Sequence, residues 1–293
     1  MKILILGGNG MIGHKIYQIL SSKYDRTWVL FKKSKQFVKN IHLFNQSRII
    51  DNFDLCNFDK LSLLLNELMP DILINASGVT IRRGIDDNIL KTININSILP
   101  HFLNNWVLQN KKKLIHFSTD CVFSGKSGNY TEYSLTDAFD IYGKTKSLGE
   151  IISSNTLTLR SSMIGRELEN KTELLEWTLK QSYKTIMGYE KAIYSGITTT
   201  QMADFILKIL TEFPEMNGVY NVSSEPISKL ELIKLFNIHF KIGANIECEN
   251  SYVSDKSLNS TKFYTTTGFI KPNWNDLMIN LIKDNDSYNK FYE

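Results

Sequence analysis

The chain's 293 residues predict an α/β fold, in which a doubly wound parallel sheet is followed by a smaller, mostly helical lobe. Three observations predict it. Apolar runs of strand length alternate with segments of helical period through the first 160 residues. After Arg160 the alternation gives way to helix-like segments with few clear strands between them. At 42% hydrophobic and 22% charged, the chain has apolar material for one large domain or two intimately packed lobes.

Ile3, Leu4, Ile5 and Leu6 form a continuous apolar run, the pattern of a strand buried on both faces. Ile12, Ile16, Ile19 and Leu20 then recur at helical spacing, and residues 28–31 read as a second strand, so a βαβ unit opens the chain. The pattern resumes with a strand at 72–75, a helix around 89–108, a strand at 114–118, a helix around 142–152 and a strand at 157–160. Beyond these, helices are expected near 173–181, 201–210, 229–236 and 274–282. The division expected is a first domain over 1–160 and a second lobe over 161–293, with 196–222 compatible with either. The second lobe would close over the carboxyl edge of the sheet, where open α/β sheets bind ligands.

Charge and composition narrow the partners. With 34 Lys+Arg against 30 Asp+Glu, the net charge of +4 is too small a bias to indicate nucleic acid and suits an anionic small molecule. Cys56, Cys121 and Cys248 are odd in number and far apart, which argues against a disulfide framework or a structural zinc. No run approaches the roughly 18 apolar residues of a membrane span, and the N-terminus lacks the long apolar region of a signal peptide. A cytoplasmic protein without membrane or nucleic-acid partners is expected, and a homodimer is compatible with this.

Between the first strand and first helix, Gly7, Gly10 and Gly13 are spaced Gly-x-x-Gly-x-x-Gly. Glycines there let the backbone turn sharply, approach a pyrophosphate and present helix N-terminal amides to it. In this strand–loop–helix context the pattern predicts a Rossmann-type dinucleotide site. An acidic side chain at the end of the second strand would bind a ribose 2′-hydroxyl and repel a 2′-phosphate. The residues present are Phe31, Lys32, Lys33 and Ser34, so NADPH is expected over NADH; the alternative is that the two lysines are a solvated strand end.

Tyr142 and Lys146 are spaced i, i+4, which on a helix puts both on one face. Tyr252 and Lys256 share the spacing, but only the first pair follows a sheet strand by one loop. A phenol with a pKa near ~10 transfers protons poorly at neutral pH. An ammonium at about 4 Å contributes on the order of 4 kcal/mol at an effective dielectric of about 20, enough to bring the phenol to ~7. Lys146 is therefore expected to acidify Tyr142 and to anchor the nicotinamide ribose, although an ordinary surface helix pair has the same spacing. Thr119, at the end of the preceding strand beside Ser118 and Asp120, would hold a substrate carbonyl oxygen with Tyr142. His14 and His116 have no sequence neighbours that suggest catalysis.

Together, Gly-Gly-Asn-Gly-Met-Ile-Gly from Gly7, Ser-Thr-Asp-Cys-Val-Phe-Ser-Gly from Ser118, Asn129-Tyr-Thr-Glu and Tyr142-Gly-Lys-Thr-Lys-Ser-Leu-Gly-Glu150 resemble the extended short-chain dehydrogenase/reductases. Within them the nearest likeness is to the dTDP-4-dehydrorhamnose reductase family, over residues 1 to about 165 and more weakly through Tyr220-Asn-Val-Ser-Ser. The resemblance implies a Thr119/Tyr142/Lys146 centre with Asn96 supporting the lysine. It places Asn9, Met11 and Ile12 with the glycines at the cofactor, Asp54 and Leu55 near the adenine, and Ala76, Ser77 and Gly78 along the dinucleotide. It also implies reduction of a nucleotide-linked 4-keto-6-deoxy sugar destined for a surface polysaccharide.

Cys121 stands where related dehydratases carry a glutamate, which disfavours water elimination. The reductases usually have an aromatic residue at Cys121 and again near Met163, so the particular sugar stays open. Asp120, Cys121, Arg82, Arg160 and Met163 are candidate substrate contacts by position, Arg82 and its neighbour Arg83 being suited to a diphosphate. An epimerase that retains its cofactor and a nonenzymatic NADPH-binding subunit are the alternatives.

Overall fold

The computed structural model describes residues 1–39, 41–80 and 88–292. The chain runs through β1 (Ile3–Leu6), α1 (Met11–Ser21), β2 (Thr27–Leu30), β3 (Ile49–Ile50), α2 (Phe58–Leu68), β4 (Ile72–Asn75) and α3 (Ile89–Ile93). A π-turn over Asn94–Ile98 leads into α4 (Leu99–Asn110), β5 (Lys113–Ser118), α5 (Ile141–Leu148) and β6 (Thr156–Arg160). Then come β7 (Met163–Ile164), α6 (Leu174–Leu179), β8 (Thr185–Tyr189), β9 (Ala192–Tyr194), β10 (Ile197–Thr198), α7 (Thr199–Glu212) and β11 (Gly218–Asn221). The last elements are β12 (Ile227–Ser228), α8 (Lys229–His239), β13 (Asn245–Glu249), β14 (Ser254–Asp255), α9 (Thr261–Thr267) and α10 (Trp274–Tyr292).

Seven parallel strands form the central sheet in the order β11-β6-β5-β4-β1-β2-β3. Because strand side chains alternate, Ile3 and Ile5 enter one core while Leu4 and Leu6 enter the other. The first core packs β1 against α1 and α7; the second packs Leu61 and Leu65 of α2 and Leu99, Leu103 and Trp106 of α4 beneath the sheet. Burial on both faces explains why these strands read as unbroken apolar runs. The chain winds outward in opposite directions from β1 and β4, so a crevice opens at their carboxyl ends.

Several elements depart from the expectation. α2 and β3 occupy a stretch that showed no clear apolar period. α5 stops at Leu148 rather than near 152, with Gly149 at its C-cap, where a Cβ would sit 2.0 Å from Asn96 O in the turn leading into α4. α10 continues to Tyr292 rather than ending near 282. The chain after β6 also carries short strands. β8 pairs with β13, and β9 lies between β12 and β14, each two to five residues long with polar residues among them. Residues 199–221 supply α7, which packs on α1, and β11, which pairs with β6. No helix among the described residues is long and apolar enough to cross a membrane.

Candidate active site

The glycine loop forms where β1 must turn into α1 directly over β4. Gly7 has φ +77°, and a Cβ on it would lie 2.9 Å from the backbone of Ala76 and Ser77. Gly13 approaches as closely from the helix, its Cβ position 2.2 Å from Gly7 O. Gly10 N–H donates to Gly7 O at 2.9 Å, and Gly10 precedes α1 with no side-chain cap, so the first helical amides are left for a ligand. A cavity of about 640 Å³ opens here, bordered by Gly7, Asn9, Gly10, Lys32, Lys33, Asp54, Leu55, Ala76, Ser77 and Gly78. A second, of about 330 Å³, shares Gly10 and residues 76–78 with it and adds Met11 and Ile12. The uncapped amides and the cradle that any Cβ would fill fit a dinucleotide pyrophosphate.

The basic strand end is more built than its sequence suggested. Lys33 Nζ pairs with Glu169 Oε2 at 2.5 Å, and Asn9 donates to Glu169 Oε1 at 3.0 Å, so the segment after β7 bridges the cleft. Lys32 faces Lys91 of α3, and this second cation, with burial, holds its pKa below the usual value against the pull of Asp54. Lys91 and Glu169 carried no sequence signal, since both reach the cleft from distant segments.

At the other end, Asp140 caps α5 by accepting from Gly143 N–H at 2.8 Å. A Cβ on Gly143 would lie 2.2 Å from Cys121 O, so α5 sits tightly on the turn after β5. Thr119 makes that turn by accepting from Cys121 N–H at 3.1 Å. The result brings Thr119, Cys121, Tyr142, Lys146 and Met163 onto the wall of the smaller cavity, with Thr119 hydrogen-bonded to Tyr142. Phe117, Ser118, Thr80, Ser161, Ser162 and Glu173 complete the wall. Ser161 and Ser162 follow β6 directly, a strand-end position that could have singled them out. Tyr252, by contrast, is 54% exposed against Tyr189.

The electrostatics correct the expectation for Tyr142. Burial raises its phenol well above the ordinary value, Cys121 adds to the rise, and the Thr119 hydrogen bond only partly opposes it. Lys146 does not pull it toward neutrality: its Nζ donates to Phe117 O at 2.6 Å, and burial lowers its own pKa to about 8. Tyr142 is therefore protonated at neutral pH, the form of a proton donor. Burial likewise pushes the Cys121 thiol up to about 12.

Three further assignments change. Asn96 grips the Val79 backbone through both ends of its amide, at 2.8 and 2.9 Å, and donates to Thr145 Oγ1 at 3.2 Å. It ties the strand-β4 loop to α5 rather than bonding Lys146. Arg160 is turned away from the crevice, its Nε and Nη2 each 2.7 Å from the two oxygens of Glu150. Asp120 is buried and accepts from Thr119 Oγ1 at 3.1 Å, off both cavity walls. Arg82 and Arg83 lie outside the described residues. Among the described residues no cluster of metal-ligating side chains occurs.

The family model described as "RmlD substrate binding domain" matches residues 1–241. A dTDP-4-dehydrorhamnose reductase of Aggregatibacter actinomycetemcomitans is 23% identical over 237 residues, 77% of this chain and 74% of that protein. The crystal structure of a dTDP-4-dehydrorhamnose reductase from Clostridium acetobutylicum superposes with TM-score 0.79 at 20% identity, over 97% of this chain and 99% of that one. The reductase of that name from Bacillus anthracis, solved in complex with NADP, gives TM-score 0.78 at 20% identity, also over 97% and 99%.

Proposed function

The chain belongs to the RmlD substrate binding domain family, and from that premise we propose that it is an NADPH-dependent reductase of a nucleotide-linked 4-keto-6-deoxy sugar. The observation that carries this reading is one wall: Thr119, Tyr142 and Lys146 border a cavity continuous with the glycine-loop cleft. The B. anthracis relative's NADP and the lysines at the β2 end support the choice of cofactor.

NADPH bound along the glycine loop supplies the hydride. Thr119, its hydroxyl turning from Asp120, and Tyr142 hold the substrate carbonyl oxygen between them. Tyr142, kept protonated by burial, donates its phenolic proton to that oxygen as negative charge develops there. Lys146, on the same wall with its Nζ bonded to Phe117 O, would hold the nicotinamide ribose of the bound cofactor. With a thiol at Cys121 held protonated, this chain has no base there for water elimination. The reaction belongs to the cytoplasm, and its product feeds a surface polysaccharide.

Purified protein with NADPH and a panel of dTDP- and UDP-linked 4-keto sugars should lose absorbance at the reduced-nicotinamide band. Tyr142→Phe should slow this by about 10²- to 10⁴-fold while NADPH still binds. No turnover across the panel overturns the proposal. Isomerised product with a cofactor that never exchanges identifies an epimerase instead.

A further inference from the structure

His14 on α1 and Tyr288 on α10 are both buried, and neither borders the cleft cavities. His14 Nδ1 lies 2.7 Å from Gly10 O, and His14 Nε2 meets the Tyr288 hydroxyl. Burial and the adjacent Lys15 push the imidazole down to about 3, so the ring carries a single proton. Gly10 O can only accept, which puts that proton on Nδ1; Nε2 then accepts, and Tyr288 O–H donates. Tyr288 is itself held between two cations. Lys15 is paired with Asp284 of the same helix, and Arg166 is bonded to Glu176 and Asn285.

The effect reaches the cofactor cleft through peptide geometry. The Gly10 carbonyl and the Met11 N–H share one planar trans unit and point in opposite directions, so fixing the first aims the second. His14 fixes that carbonyl twice, through its backbone N–H at 3.2 Å and through its ring. Met11 borders the smaller cavity and Gly10 borders both. We propose that Tyr288 and His14 are a positioning pair that aims the Gly10–Met11 peptide at the pyrophosphate of the dinucleotide, which makes α10 a part of cofactor recognition. This rests on the dinucleotide reading of the cleft.

The test is NADPH titration, followed by its fluorescence, into the wild-type chain, Tyr288→Phe, His14→Asn and the double variant. Phenylalanine keeps the ring between Lys15 and Arg166 and removes only the hydroxyl. Asparagine keeps a donor for Gly10 O and cannot reach Tyr288. Tyr288→Phe should weaken NADPH about fivefold to tenfold, the equivalent of one hydrogen bond, with KM for NADPH rising more than kcat falls. Binding of 2′-AMP, which lacks the pyrophosphate, should match wild type, and the double variant should be no weaker than the weaker single one. Should Tyr288→Phe fail to fold, His14→Asn carries the same comparison. Unchanged NADPH affinity, or equal weakening of NADPH and 2′-AMP, overturns the proposal. A wild-type chain that leaves NADPH fluorescence unaltered overturns the cofactor assignment itself, and this inference with it.

Discussion

Replacing Arg160 by methionine separates a structural role from a substrate role. The Arg160 and Glu150 side chains are 6% and 10% exposed, and two parallel bonds of 2.7 Å join them. Ser118 Oγ donates to the same carboxylate at 2.6 Å, and Arg160 Nη1 donates to Glu132 O at 3.2 Å. Arg160→Met leaves the Glu150 carboxylate in its buried site with the Ser118 hydroxyl as its remaining partner among these. A wholly uncompensated buried charge costs about 3–5 kcal/mol, and the Lys146 ammonium, which also attracts Glu150, should hold the loss toward the lower end. Arg160→Met with Glu150→Leu removes both charges and should recover most of that loss, because an apolar pair of similar volume is commonly neutral or better. Urea unfolding of the single and double variants at neutral pH measures both quantities. A single-variant loss under about 1 kcal/mol, or a raised substrate KM at unchanged stability, would refute the structural assignment.

Lys146→Met should trade activity for stability. Burial takes the lysine from 10.5 to about 8, so between those values the unfolded chain binds the extra proton and wild-type stability rises with pH. Below pH 8 the full penalty applies, on the order of 3 kcal/mol, and outweighs the roughly 1 kcal/mol lost with the bond to Phe117 O, so the variant should have the higher urea midpoint at pH 7 and the lower one by pH 10.5, while turnover is lost. A variant less stable at pH 7 would contradict this. Gly13→Ala puts a methyl 2.2 Å from Gly7 O and 3.0 Å from Gly8 Cα, backbone that cannot swing aside. It should cost about 1–3 kcal/mol by thermal unfolding and weaken NADPH by roughly an order of magnitude in the same titration.

The central sheet was legible because its physics is local. β1 lies over an unbroken apolar run and ends with it, and β4 runs one residue past its own, to Asn75. The short strands after β6 were not, since β8 alternates exposed and buried residues and β13 is largely polar, so neither stands out from a loop. The site divides the same way. Spacing placed Tyr142 and Lys146 on one face of α5, and the strand-end position of Thr119 put it on the same cavity wall. Spacing could not supply the balance of energies at Tyr142, where burial outweighs a lysine already bonded to Phe117 O. Nor could it supply long-range partners: Glu169 meets Lys33 across 136 residues of sequence, and Arg160, a candidate substrate contact by position, is taken by Glu150 once β6 and the end of α5 come together.

The Lys15–Asp284 pair spans 269 residues, which bears on how the molecule is made. At a ribosomal pace of about 5–20 residues per second, the lysine emerges roughly 13–55 s before its carboxylate. Through that interval its ammonium lacks the carboxylate of the last helix and keeps only the pull of Asp204 on α7, so the first helix seats less firmly against the sheet. A nascent chain halted short of Asp284 would thus display a half-made nucleotide pocket and loose apolar surface, open to chaperones and proteases until the closing helix arrives.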